Sequence, residues 1–251
     1  MKISIITLFP KMISGFFEES IVKRAVEKKL VEIEIINLRD FAIDDYGTVD
    51  DRPYGGGAGM VLRIEPVYNA VQSVISNFQF SISKQTSKSK KPISKTVITS
   101  PKGRVFDQKK AEEYSQLDHL IIIAGHYEDV DARIFDYIDE EISMGDFILT
   151  GGEIPASAIV DSVVRLVPGV LKKDQATKNE SFNFNDKKIL EYPQYTRPEE
   201  FMGKKVPKIL LKGDHKKIEE WRTEKSFEET RKKRPDLLAC ASKLDSNKNI
   251  V

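Results

Sequence analysis

The chain has 251 residues, with 40 Lys/Arg against 39 Asp/Glu and a formal net charge of +1, a length that suits one large domain or one domain with a smaller second one. Hydrophobic content of 40% is ordinary for a globular protein, and no apolar run nears the roughly 20 residues of a membrane span, so no membrane partner is expected. The single cysteine, Cys240, excludes an internal disulfide framework and a cysteine-built zinc site, and the three histidines, His119, His126 and His215, lack metal-ligand spacing; a reducing, cytoplasmic setting fits.

In chain order, KISIITL (2–8) reads as a strand packed on both faces rather than as a signal peptide, because its apolar stretch of about 6 residues is short of the 7–15 of a secretory segment. Pro10 suits the first turn of a helix reaching Lys29, with Met12, Ile13, Phe16, Phe17 and Ile21 at helical spacing. VEIEIINL (31–38) alternates as a half-buried strand. A long irregular segment, 39–62, holds TVDDRPYGGGAGM (48–60), and Glu65 and Pro66 open a helix to about Phe78. SISKQTSKSKKPISK (81–95) is low-complexity Ser/Lys and predicts a flexible surface loop. KTVITS (95–100) and HLIIIA (119–124) are buried-type strands on either side of a polar helix near 107–116. A short helix follows at 130–138, EISMGDFILT (141–150) is strand-like, and a helix runs from Glu153 to Val167 with Pro155 in its first turn. Strands alternating with helices predict an α/β domain with a largely parallel sheet over 1–171. Residues 172–187 carry no periodicity and read as a flexible interdomain linker. Proline-punctuated pieces then lead to a charged helix, about 214–233, in a small helical domain over 188–251.

The glycine stretch is neither a P-loop, since no Gly-Lys-Ser/Thr follows, nor a dinucleotide fingerprint, since no strand directly precedes it. Consecutive glycines permit positive φ and close approach. Alone, the stretch reads as a flexible loop in which Asp50, Asp51, Arg52 and Tyr54 either bind a substrate or cap the turn. Further clusters change the weighting. ITSPKGR (98–104), AGHYEDVD (124–131) and MGDFILTGGEIPA (144–156) put turn-forming residues at three strand ends. Ligands of open α/β sheets bind at the carboxyl ends of strands, so these are either tight turns or a site where backbone groups hold a flat, partly apolar ligand. From Phe201 to Pro235 there are 12 Lys/Arg against 6 Asp/Glu, a local net of +6 that leaves −5 elsewhere. Such a run marks a polyanion partner or a solvated basic face.

TLFP (7–10), TVDDRPYGGGAGM, SPKGR, GHYED, MGDFILTGGEIPA, DSVVRLVPGV (161–170), YPQYTRP (192–198) and VPKILLKGDHKKIEEWR (206–222), in this order, closely resemble the bacterial tRNA (guanine-N1)-methyltransferase family, TrmD. The resemblance covers the chain outside the Ser/Lys loop. It implies a SPOUT-type α/β fold whose parallel sheet is threaded into a deep trefoil knot, an exception to unknotted topology, with a small all-α C-terminal domain. It also implies methyl transfer from S-adenosyl-L-methionine to N1 of the tRNA guanosine just 3′ of the anticodon, position 37, by a homodimer with its active site at the subunit interface.

Carried over by the resemblance, the cofactor is held by Ile98, Thr99, Ser100 and Pro101, by Gly125, Tyr127 and Glu128, and by Met144, Gly145, Asp146, Phe147, Ile148, Leu149, Gly151, Gly152 and Pro155. Asp50, Arg52, Tyr54, Gly55 and Gly59 belong to the substrate side, beside the partner subunit. Lys212, His215 and Arg222, with Lys204, Lys205, Lys208 and Lys216, are candidate contacts to tRNA phosphates, while Trp221 reads as a core anchor with Ile218 three residues before it. Arg165 maps to the family's arginine. Glu180 maps to its general base, an aspartate in the family, keeping the carboxylate but adding a methylene. Asp129 stands where the family usually has glycine, either crowding the cofactor loop or capping the helix at 130, and Ala58 replaces a common proline. Family members are linked to Mg²⁺, and no residue cluster here marks a metal site. Two alternatives remain at this point: another SPOUT RNA methyltransferase, or an RNA-binding relative weakened in catalysis through Asp129 and Glu180.

Overall fold

A computed structural model describes residues 1–85, 92–172, 179–184 and 187–238. The chain divides into two compact units, Met1–Leu171 and Lys172–Val251.

The first unit opens with β1 (Lys2–Thr7), in which every residue after Lys2 is buried, as an unbroken apolar run covered on both faces requires. The single helix expected to Lys29 is two, α1 (Pro10–Phe17) and α2 (Ser20–Glu27). Ser20 takes φ +55°, a left-handed value that right-handed helix cannot propagate through. Ile13 and Phe17 enter the core, while Met12 and Phe16 of the same expected stripe stay exposed. β2 (Glu32–Asn37) and a 3-10 turn, Leu38–Phe41, follow. The segment expected to be irregular contains β3 (Asp50–Asp51) and β4 (Val61–Leu62), paired antiparallel, so the glycine stretch is the loop of a hairpin.

α3 (Ile64–Gln85) runs well past Phe78 and absorbs the start of the expected Ser/Lys loop. Ser81 and Ser83 direct their hydroxyls back to the carbonyls of Asn77 and Phe80, which makes serine tolerable in a helix. Ser94 and Lys95 already belong to β5 (Ser94–Val105); positions 86–91 of that expected loop lie outside the described residues. α4 (Gln108–Ser115) is capped by Asp107, whose side chain accepts from Lys110 N–H. Then come β6 (His119–Ala124), β7 (Asp129–Val130), a 3-10 helix over Ala132–Tyr137 capped by Asp131, β8 (Glu140–Ser143) and α5 (Glu153–Val164). The strand expected to continue to 150 stops at Ser143. β8 is the edge of its sheet, Gly145 turns the chain with φ +133°, and the apolar Phe147, Ile148 and Leu149 are left exposed.

The main sheet has the order β2-β1-β6-β5-β8 with all neighbours parallel. Side chains alternate between its faces. Ile3, Ile5, Leu120 and Ile122 pack with Ala156, Ile159, Val160 and Val163 of α5, whereas Ile6, Ile98, Ile121 and Ile123 pack with Val67, Ala70 and Val71 of α3. Helices on both faces account for the continuous hydrophobicity of β1 and β6.

In the second unit, β9 (Asn179–Glu180) pairs with β10 (Asn183–Phe184), and β11 (Glu200–Phe201) with β12 (Lys204–Lys205). α6 (Lys208–Leu211) and α7 (His215–Lys233) follow, the latter capped by Asp214. The expectation of an all-α unit is thus corrected: two hairpins occur among its described residues. Met202 and Gly203 both take positive φ, +46° and +77°, the requirement of a tight two-residue hairpin turn. The expected linker is folded where it is described, with Phe184 buried beneath Tyr192; positions 173–178 and 185–186 lie outside the described residues. Trp221 meets Tyr192 and Tyr195 at 6.4 and 6.3 Å between ring centroids, with Ile218 buried in the same helix.

One buried and one half-buried ionisable group make this fold acid-sensitive. His119 is fully buried, with Nε2 2.9 Å from the Ser4 hydroxyl, and burial followed by the Lys2 charge pushes its pKa down to about 4. Burial pushes the Glu140 carboxyl up, but hydrogen bonds from Lys95, Tyr114 and Lys110 outweigh it and hold the pKa at about 2. Both values lie below those of the unfolded chain, so both groups stabilise at neutral pH. The His119 contribution is lost as pH falls from 6.5 toward 4, and that of Glu140 from 4.5 toward 2. Urea unfolding across this range should show the first loss as on the order of 2 kcal/mol, and His119→Gln should remove it. A wild-type stability that is flat between pH 6.5 and 4.5 would contradict this assignment.

Candidate active site

β6, β5 and β8 are neighbours in the sheet: β6 ends at Ala124 and β8 at Ser143, while β5, expected to end near Ser100, only bulges after Thr99 and resumes pairing with β8 at Arg104. Thr99 Oγ1 donates to the Ile123 carbonyl at 3.3 Å and accepts from Gly125 N–H at 3.3 Å. The Gly125 carbonyl accepts from Gly152 N–H at 2.6 Å. A Cβ on Gly152 would overlap Thr99 Oγ1 and stand 2.5 Å from Gly125 N, so only glycine lets these backbones touch. His126 and Gly151 form an antiparallel bridge beside this contact. Thr99, Gly125 and Gly152 are therefore brought together, but Thr99 sits at a bulge inside β5 and not at a strand end as expected.

Within that set the residues differ in what they expose. Ile98 is core, and Pro155 is buried in the first turn of α5. The Ser100 hydroxyl accepts from Lys102 N–H at 3.2 Å, leaving Pro101 exposed. Tyr127 sits at φ +61° with its ring 40% exposed; a left-handed tyrosine is held only where its surroundings over-determine it. Met144 packs on the core, Gly145 N–H donates to the Ser143 hydroxyl at 3.1 Å, and Asp146, Phe147, Ile148 and Leu149 line the outer side of the turn.

The glycine hairpin is attached to this centre. β4 pairs parallel with β7, placing Val61 opposite Asp129 and Leu62 opposite Val130. Glu128 N–H donates to the Met60 carbonyl at 3.1 Å. Gly59, at φ +81°, leaves the space that a Cβ would share with the Glu128 side chain. Asp50 is half-buried opposite Leu62, while Arg52, Tyr54 and Gly55 stand exposed in the loop. Asp129 does not cap the helix that follows it. Its Oδ1 accepts from Val130 N–H, Asp131 caps the helix instead, and its Oδ2 is paired with the Lys102 ammonium, tying the bulge of β5 to β7. The hydrogen bond to Asp129 and its charge push the Lys102 pKa up.

Arg165 is the C-cap of α5, its N–H bonded to the carbonyls of Asp161 and Val163. Glu180 lies in β9, half-buried and opposite Asn183. Arg165 belongs to the first unit and Glu180 to the second. Lys212 caps α6, and His215 opens α7 in solvent. Arg222 is engaged within its own unit, 2.5 Å from a Glu219 oxygen and 4.8 Å above the Tyr192 ring. Among the described residues no group of three or more His, Cys, Asp or Glu is placed to hold a metal ion, and no helix is long and apolar enough to cross a membrane.

Three residues that sequence reasoning did not single out stand at the heart of the site. Glu153 is wholly buried, accepts from the Thr7 hydroxyl at 2.8 Å, and lies 3.7 Å from His126 Nδ1. The available signal was an acid opening an otherwise apolar helix, EIPASAIV, directly behind two glycines.

A parallel sheet covered on both faces, with glycine-lined turns gathered at adjacent strand ends, defines an α/β protein built to hold a ligand at its carboxyl edge. A model of the family described as tRNA (Guanine-1)-methyltransferase TrmD matches residues 1–240, and the chain belongs to that enzyme family. A Dictyoglomus turgidum protein named tRNA (guanine-N(1)-)-methyltransferase is 51% identical over 242 residues, covering 96% of this chain and 91% of its own. Proteins of the same name from Endomicrobium trichonymphae and Geobacter sp. (strain M21) are 45% and 50% identical, each over 95% of this chain and over 99% and 90% of their own.

The contact at Gly152 yields a direct test. Gly152→Ala should lower the unfolding free energy by on the order of 2 kcal/mol, because backbone rather than a flexible side chain must give way. Unchanged denaturant unfolding would show that the turns are not pressed together.

Proposed function

We propose that the protein transfers a methyl group from S-adenosyl-L-methionine to N1 of the guanosine at position 37, 3′ of the anticodon, in tRNA. The observation that carries this reading is the Thr99–Gly125–Gly152 contact, in a chain of this family, at the sheet edge where a bent cofactor would meet backbone N–H and C=O groups. The surroundings fit: Tyr127, Phe147 and Leu149 offer exposed apolar surface beside these turns. A SPOUT fold with a deep trefoil knot agrees with the close seating of Gly152 on Gly125. A homodimer completing the active site agrees with the exposure of Phe147, Ile148 and Ile154 beside these turns, at 54%, 80% and 55%. Cytoplasmic tRNA is the partner.

The bound cofactor supplies an electrophilic methyl on a sulfonium, so the protein need provide no covalent nucleophile. Guanine N1 carries a proton, and its lone pair is free only after that proton leaves. Glu180 accepts the proton as general base, a role typically worth about 10²–10⁴-fold. Negative charge then spreads onto guanine O6, where the Arg165 guanidinium stabilises it with charge-assisted hydrogen bonds, worth about 10²–10³-fold. The basic second unit holds tRNA phosphates through Lys204, Lys205, Lys208, Lys212, His215 and Lys216. Arg222, already paired and stacked, contributes least.

Nucleoside analysis of tRNA incubated with the protein and S-adenosyl-L-methionine should show 1-methylguanosine. Glu180→Ala and Arg165→Ala should each lower turnover by about two orders of magnitude or more. Full turnover in both variants would remove these residues from the mechanism, and a methyl group on another base would favour the alternative RNA specificity. The tRNA KM should rise steeply with salt, as counterion release demands; a salt-independent KM would overturn the phosphate-binding role of the second unit.

A further inference from the structure

Glu153 and His126 present an unfinished hydrogen bond. Glu153 has no exposed surface, and its Oε1 accepts from the Thr7 hydroxyl at 2.8 Å, while Thr7 Oγ1 in turn accepts from Phe9 N–H at 2.9 Å. Its other oxygen, Oε2, is buried without a hydrogen-bond partner. So is Nδ1 of His126, and the two atoms are 3.7 Å apart. Buried polar atoms are almost always paired, and two complementary ones facing each other just beyond bonding distance form a device with a second position. An N–H···O⁻ bond closes at about 2.7–2.9 Å, so a movement of about 1 Å completes this one, with His126 as the Nδ1–H tautomer.

The surroundings make that movement relevant to the cofactor turns. His126 follows Gly125 on the loop after β6 and is bridged to Gly151. A Cβ on Gly151 would overlap Glu153 Oε2 and stand 2.5 Å from His126 Nδ1, so the glycine keeps the space between the two side chains clear. The imidazole is flanked by the rings of Phe9 and Tyr127, at 4.8 and 4.9 Å between centroids. Thr7 anchors the carboxylate to the end of β1 and α5 carries it, so the bond would join β1, the loop after β6 and the start of α5.

We infer that Glu153 is a positioning residue that latches the Gly125–Glu128 turn: when the methyl donor seats, His126 Nδ1–H closes onto Glu153 Oε2 and holds the turn against the donor. This rests on the reading that these turns take S-adenosyl-L-methionine. The bond exists only in the donor-bound state, so it favours that state selectively. A hydrogen bond to a charged group is worth about tenfold or more in affinity.

The test uses titration calorimetry with S-adenosyl-L-methionine and melting of the donor-free protein. His126→Phe keeps a flat ring and removes the donor; His126→Leu removes it without the bulk of a ring. Both should weaken donor binding about tenfold while leaving the donor-free melting temperature undiminished, because they delete a bond not yet made. His126→Asn, whose amide reaches the position of Nδ1, should restore most of the affinity. Wild-type affinity in the Phe and Leu variants, or loss of melting temperature in parallel with affinity, would overturn the latch in favour of an inert or purely structural histidine. Failure of the wild type itself to bind the donor would instead sink the underlying reading of the turns.

Discussion

The structure depends on one backbone contact: the Gly152 amide against the Gly125 carbonyl, beneath the Thr99 hydroxyl. Three segments distant in sequence meet there because β5 and β6 are adjacent and parallel, so the bulge of β5 at Thr99 lies beside the end of β6, and the chain after β8 returns to it at Gly152. α5 can begin at Glu153 only because the residue before it has no side chain. That start sets the register of Ala156, Ile159, Val160 and Val163 on the sheet. Core packing and site geometry are therefore one constraint, and a change at the turn is felt along the helix.

Charge is distributed to suit that arrangement. Around the turns Asp129 is paired with Lys102, and Glu153 accepts from the Thr7 hydroxyl. The hairpin carrying the long glycine stretch is joined to the same loop through β4 and β7, so a displacement of Glu128 is transmitted to Met60 and Gly59. On the second unit the excess of lysine and arginine lies on α7 and the hairpin before it, where several cations pair with acids one helical turn away, such as Lys225 with Glu228. Such exposed pairs contribute little to stability and leave the net positive field intact.

What could be read in advance follows from range. β1 and β6 were legible because burial on both faces writes an uninterrupted apolar run, and α4 and α7 because Asp107 and Asp214 cap them locally. The break at Ser20, the end of β8 at Ser143 and the hairpin turn at Met202 were not. Each turns on a backbone conformation or a missing neighbour that composition does not record, and FILT looks like a strand until the sheet is seen to end beside it. The clusters at 98–104, 124–131 and 144–156 were visible as glycine-bearing motifs, but the first proved to be a bulge inside β5, because a strand that resumes pairing after a bulge looks locally like one that ends. The pairing of Asp129 with Lys102 and the approach of His126 to Glu153 were invisible, because they join residues that only the fold brings together.

The central claim is that the bulge of β5 and the turns after β6 and β8 jointly hold the methyl donor. A crystal structure of the protein with S-adenosyl-L-methionine tests it most directly. The donor should lie folded against Thr99–Pro101, Gly125–Glu128 and Met144–Gly152, with the Gly152–Gly125 contact intact. A donor bound elsewhere, or those turns empty at saturating donor, would contradict the account.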